Sequence, residues 1–275
     1  MVRENNIEEL LSKYQKEITF LRGLCKNLAN ALESGKEDIR RAEEYVQKIE
    51  KSLGKLRENL PIMQVLQEWL DQKKGLLENY KISLKGRFAL ELEEELKKVG
   101  LTLSGHYPEL KTWLLTIEIN FSTNKATLWY GPKQERMGVC SLSPSKIAQQ
   151  INFVRSNLGS KLPKEELIQK LYQAYRRTEK GAIGEPSPII EVLRELAFLL
   201  QPPSFGADPL KENYKSYGRA DFSYDLFSLR DNQAFKLITA TRAFTKSRST
   251  FIWVPMSESG TGATYSHIQF KSKPF

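Results

Sequence analysis

Two histidines, two cysteines and one close pair of aspartates are the residues from which this chain could build a reactive centre. His106 sits in a turn-like Gly-His-Tyr-Pro stretch with no cysteine or carboxylate beside it, and a turn histidine is ordinarily solvated. His267 follows Tyr265 and Ser266 in a strand-like run, where packing or hydrogen bonding accounts for it. Cys25 and Cys140 lie far apart. A zinc site takes about four ligands and a secreted disulfide framework more than two cysteines. Asp221 and Asp225, four apart in a strand-like segment, point to one face. Paired carboxylates can hold Mg²⁺ for phosphoryl chemistry, but no third acid and lysine follow in recognisable order. Lys211, Glu212 and Arg219 nearby make salt bridging the plainer role.

Two glycine-bearing loops are weak nucleotide candidates. Ser259-Gly260-Thr261-Gly262-Ala263-Thr264 has strand-like flanks on both sides, whereas a phosphate cradle presents its N–H groups at a helix N-terminus. No Gly-Lys-Ser/Thr follows it. Tyr130-Gly131-Pro132-Lys133 lacks the rest of a fingerprint as well. The expectation is a chain with no cofactor, no metal ion, no ATP hydrolysis and no catalytic residue.

A stronger signal is charge. Residues 232–275 carry Lys236, Arg242, Lys246, Arg248, Lys271 and Lys273 against the single acid Glu258, interleaved with Phe235, Phe244, Phe251, Trp253, Tyr265, Phe270 and Phe275. Cations neutralise phosphates and exposed rings stack on unpaired bases. The same alternation also suits a sheet whose rings form a core under a solvated face. Lys246 and Arg248 fall in the turn between two expected strands, so they are the cations expected to reach furthest outward. All six are candidate nucleic-acid contacts, for DNA or RNA.

The net charge of +9 is unevenly placed. Residues 1–100 hold 19 Lys and Arg against 18 Asp and Glu, while residues 101–275 hold 23 against 15. A balanced first part is what solvated helices show, and the basic surplus of the remainder favours an anionic partner. The start of the chain has no apolar signal-peptide core. The densest apolar runs, Trp113 to Phe121 and Ile189 to Leu200, carry charge and are too short to span a bilayer. With two thiols and no such segment, a cytoplasmic protein without membrane contact is expected.

The elements that must position these residues fall into three parts. In residues 1–100, Ile7, Leu11, Tyr14, Ile18, Leu21, Cys25, Leu28 and Leu32 step by four and three, the a/d register of a coiled coil. The count meets Gly35, then resumes through Ile39, Ala42, Val46, Ile49, Leu53, Leu56 and Leu60. A repeat held this long calls for a partner along the seam. Ile7, Leu11, Ile18, Leu21, Leu28, Leu32, Ile39, Val46, Ile49 and Leu53 are therefore the candidate partner-binding residues, for another protein or a second copy. Ser34 and Glu37 fit a capping box that would start a second helix and fold the arm into a hairpin. The unbroken heptad phase favours one long helix instead. After Pro61 a second helical pattern runs from Met63 to Val99, interrupted at Lys73.

Residues 101–204 begin with a β-hairpin, Trp113 to Phe121 and Ala126 to Tyr130, turning at Ser122-Thr123-Asn124. Three helices follow. One starts at Ser143-Pro144 and ends at Gly159, one spans Pro163 to Thr178, and one starts at Ser187-Pro188 and stops at Pro202-Pro203. After a loop from Pro202 to Pro209, residues 205–275 carry four expected strands: Asp221 to Arg230, Phe235 to Phe244, Thr250 to Val254 and Thr264 to Phe270. Short connections make them antiparallel.

The expected fold is α+β: a long N-terminal coiled-coil arm, then an α+β body with an antiparallel sheet. The expected function is a non-enzymatic assembly subunit whose arm binds a partner and whose basic body contacts nucleic acid. A structural adaptor without nucleic acid is the alternative, and a metal-dependent nuclease using Asp221 and Asp225 is a third.

Overall fold

The computed structural model describes the backbone of residues 4–33, 39–54 and 62–274, with side chains at residues 12, 15–33, 39–54 and 67–274. Two compact units divide the chain, Met1–Leu90 and Glu91–Phe275. No helix among the described residues is long and apolar enough to cross a membrane.

Helices α1 (Glu4–Glu33), α2 (Ile39–Leu53) and α3 (Ile62–Lys98) make the first unit, with α3 running on into the second. Leu21, Leu24 and Leu28 of α1, Ala42, Val46, Ile49 and Leu53 of α2, and Leu70 and Leu77 of α3 form one core. Cys25, Leu32 and Ile39 pack at its margin. Ion pairs Glu43–Lys81 and Glu50–Lys74 set α2 antiparallel to α3. Exposed pairs of this kind add little stability, but they report the register.

The single long helix expected from heptad phase is not what forms. Helix α1 ends at Glu33, α2 begins at Ile39, and the two pack side by side. An a/d stripe needs an apolar surface to face, and α2 and α3 supply one from the same chain. Heptad spacing is common to both solutions, so phase does not separate them. Of the seam residues, Ile18 alone among those described stays largely outward, 49% exposed. Ile7, Leu11, Tyr14, Met63, the Ser34–Glu37 box and the stretch 55–61 with Leu56, Leu60 and Pro61 lie outside the residues or side chains described.

The second unit opens with a five-stranded antiparallel meander: β1 (Ser104–His106), β2 (Glu109–Thr112), β3 (Leu115–Asn120), β4 (Lys125–Tyr130) and β5 (Glu135–Ser141). Its inner face is Leu110, Leu115, Ile117, Ile119, Ala126, Leu128 and Tyr130, alternating strand by strand. The expected hairpin is β3–β4, and Asn124 makes its turn at φ +53°, a conformation asparagine tolerates better than most residues.

Helices α4 (Pro144–Asn157), α5 (Lys164–Arg177), α6 (Ile189–Leu199), the short α7 (Pro203–Ala207) and α8 (Arg219–Ser228) follow, with β6 (Ser187–Pro188) leading into α6. Strands β7 (Phe235–Thr239), β8 (Ile252–Pro255) and β9 (Gly262–Phe270) complete a second sheet. Strand β9 is central, with β7 on one edge; β6 and β8 pair along the other. Asp221 to Arg230, expected as a strand, is helix α8. Phe222, Tyr224 and Leu226 mimic period two, but Ala220, Phe222, Ser223, Asp225, Leu226 and Phe227 are all buried. A short helix enclosed on every side has no polar face for its period to show.

Strand β9 thus returns between β6 and β7. The connection from α6 to α8 is long, and Gln201 pins its two ends by donating to the Lys215 carbonyl and accepting the Lys215 N–H.

Candidate nucleic-acid interface

Pairing of β7 with β9 sorts the basic C-terminal stretch into two faces. Phe235, Leu237, Ser266, Ile268 and Phe270 point inward, and Phe270 meets the rings of Tyr172 and Tyr175 from α5. Lys236, Ile238, Tyr265, His267 and Gln269 take the outer face, where every residue is half-buried or exposed. Lys271 donates its N–H to the Ala234 carbonyl at 2.7 Å, extending the ladder one step. Alternation then puts Lys271 on the outer face, close to Lys236.

The connection from β7 to β8 folds over this face. It brings the Phe244 ring edge-on to His267, centroids 5.3 Å apart, with Phe244 still 38% exposed. The Thr250 hydroxyl, which donates to the Phe244 carbonyl, holds that turn. Ser266 Oγ lies 2.9 Å from Nδ1 of His267. Burial and the charge of Lys180 lower the His267 pKa, with Glu191 opposing. His267 thus pairs with the Phe244 ring, a contact that its sequence neighbours do not signal.

The six candidate cations do not form one patch. Lys236 and Lys271 share the outer face, and Arg242 and Lys246 are exposed on the connection above it. None of these four has an ion pair with a described residue. Lys273 instead lines an open cleft of about 590 Å³ with Lys164, Asp231 and Asn232. Arg248 corrects the expectation of a free outward tip. Its side chain is 62% exposed, yet the guanidinium pairs with Glu135 at 2.6 Å and donates to the Gln134 carbonyl. Arg219 closes the clasp, with Nε on Glu135 at 2.6 Å and Nη atoms on the carbonyls of Arg248 and Phe251.

The remaining candidates serve structural contacts. Asp225, only 5% exposed, accepts the Ser160 N–H at 3.0 and 3.2 Å and the Tyr217 hydroxyl at 2.8 Å. Asp221 accepts N–H groups from Gly159 at 3.0 Å and Gly218 at 2.9 Å. Both carboxylates therefore tie backbone, and burial raises the Asp225 pKa. A Cβ at Gly159, which stands at φ +84°, would fall 2.6 Å from Asp225 Oδ1, so the tie requires glycine. Burial raises the pKa of both thiols, opposite to what a reactive cysteine needs. The Ser259–Thr264 loop is the β8–β9 turn, closed by Met256 N–H on the Thr261 carbonyl at 2.7 Å. Among the described residues no three His, Cys, Asp or Glu side chains converge as a metal site would require.

The chain matches no family model, no curated protein and no solved structure. Helix α8 has no exposed residue. Arg219, its first residue, is committed to Glu135. The exposed cations Lys236, Arg242, Lys246 and Lys271 lie on β7, on the β7–β8 connection and just after β9.

Proposed function

We propose that this chain is a non-enzymatic subunit whose second unit holds nucleic acid on the outer face of β7–β9, with its helical unit serving assembly. One observation carries the reading: Lys236 and Lys271, neither ion-paired to a described residue, share a face with Tyr265 and His267 at the C-terminal end of β9, with Phe244 against His267. Cations without an ion pair are available to displace counterions from phosphates. The charge and rings of this face support the reading.

The test is affinity against salt for the full chain on labelled DNA and RNA. Lys236→Ala with Lys271→Ala should make the log–log slope shallower by roughly one to two units. Arg248→Ala, whose cation already serves Glu135, should leave the slope unchanged. Absence of binding at low salt would end the reading.

An adaptor without nucleic acid is the second reading, favoured by the outward apolar side chains of the helical unit. Ile18 and Phe20 on α1, and Leu76 and Tyr80 one turn apart on α3, are exposed. Since Leu21, Leu28, Val46, Ile49 and Leu53 serve the chain's own core, assembly in either reading falls to these outward positions. Concentration-dependent sedimentation that Leu76→Ser with Tyr80→Ser abolishes would support it.

A further inference from the structure

Resting on the nucleic-acid reading above, we infer that the outer face of β7–β9 takes an unpaired strand, its bases stacked on Phe244, Tyr265 and His267 and its phosphates on Lys236 and Lys271. Helix-based duplex recognition lays an exposed helix in the major groove, whereas α8 has no exposed residue and is held by the Glu135 clasp, the Gly159–Ser160 ties and β8. A sheet face carrying flat rings is instead how single strands are gripped, because every base has a π-face to offer. Tyr265 and His267 stand two residues apart on one strand, about 6–7 Å, and Phe244 sits against His267 from the connection above.

Two further features fit an unpaired ligand. The rings lie on the pleated face while Lys236 and Lys271 cluster at the β9 C-terminal end, the side Lys236 reaches by pairing with Gln269. A strand lying along β9 would therefore put bases on rings and backbone on lysines. His267 adds a flat ring beside Phe244. Arg242 and Lys246 on the connection supply positive charge at the other end. The cleft lined by Lys164 and Lys273 is a weaker candidate, since Glu165 and Asp231 share its wall.

The experiment uses the full chain and labelled oligonucleotides of about 15 residues: single-stranded DNA, single-stranded RNA, and a DNA duplex of equal length, read by fluorescence anisotropy over a salt series. Single strands should bind at least about tenfold more tightly than the duplex. Phe244→Leu and His267→Leu keep apolar volume but remove the ring, and each should weaken single-strand binding about 5- to 100-fold with the salt slope unchanged. Phe244→Tyr should bind as wild type does, and circular dichroism melts of each variant confirm folding. Duplex binding equal to or tighter than single-strand binding would overturn the inference while leaving the nucleic-acid reading intact. So would folded leucine variants that bind as wild type does. Failure of every oligonucleotide to bind at low salt would overturn both. Preference between the DNA and RNA strands identifies which one the face takes.

Discussion

Trp253 is wedged between the two sheets of the second unit, and replacing Gly131 with alanine should expose how tightly. A Cβ at Gly131 would fall 2.5 Å from Cζ3 and 2.6 Å from Cε3 of the indole. Ordinary contacts begin about an ångström further out, and the ring cannot retreat. Trp253 is buried, meets the Tyr130 ring at 5.6 Å, and has its carbonyl held by the Ser223 hydroxyl at 2.5 Å. Overpacking of this kind costs roughly 1–3 kcal/mol. Gly131 also stands at φ +58°, where a side chain adds about 1–2 kcal/mol. Gly131→Ala should therefore lose roughly 2–5 kcal/mol, measured by urea unfolding followed by far-ultraviolet circular dichroism. The two contributions separate in a double-mutant cycle. With Trp253→Leu the ring is gone, and Gly131→Ala should then cost only the backbone share, a coupling of about 1–3 kcal/mol. A Gly131→Ala loss under about 0.5 kcal/mol, or the same loss in both backgrounds, would refute the wedge.

Four more outcomes are expected. Leu28→Ala, at a fully buried site, should destabilise the helical unit by about 2–5 kcal/mol. Leu21→Lys with Leu28→Lys should melt its helices, seen as lost ellipticity, rather than release an intact helical monomer. Asp225 is held above the ordinary aspartate range by burial, although Tyr217 and Ser160 favour its anion. Its contribution to stability is therefore fully present below the unfolded pKa of about 4 and lost as pH rises through the folded value. The unfolding free energy of wild type minus that of Asp225→Asn should fall over that window, and a rising or flat difference counts against it. Glu135→Gln should cost about 1–3 kcal/mol by leaving Arg219 and Arg248 without their shared carboxylate, read from the same urea curves.

Local chemistry made part of this molecule legible. Pro144 marks the start of α4 and Pro188 that of α6, although the Ser143 hydroxyl makes no cap bond. The Val/Ile/Thr/aromatic run after Trp113 marks β3. Strands β1, β2 and β5 escaped because Glu109–Thr112 is half charged and Glu135–Ser141 is broken by Gly138. Helix α8 escaped because it is enclosed. In the helical unit, an inward stripe met within one chain looks the same as one awaiting a partner. At the candidate interface, Lys236 and Lys271 were visible as charges. Their common face depended on the β7–β9 register, and the neutralisation of Arg248 on Glu135, a residue of a different sheet. Neither partner stands near in sequence, so no local pattern could reveal it.

The bonds that tie α8 and the β7–β8 connection to the first sheet join residues remote along the chain: Arg219 to Glu135 across 84 positions, Ser223 to Tyr130 across 93, Arg248 to Gln134 across 114. Each such bond must wait for a large loop to close before it returns any energy, which slows folding. The helical unit is the opposite case, since α1 and α2 meet across five residues. During synthesis it emerges first and can close in microseconds to milliseconds. The meander has by then to persist, with Tyr130 and the Trp253 pocket unfilled, until the last residues of β9 leave the ribosome. An unfilled apolar pocket beside an incomplete sheet is an invitation to aggregate, so truncations that remove β8 and β9 should yield insoluble protein while fragments ending before the meander stay in solution.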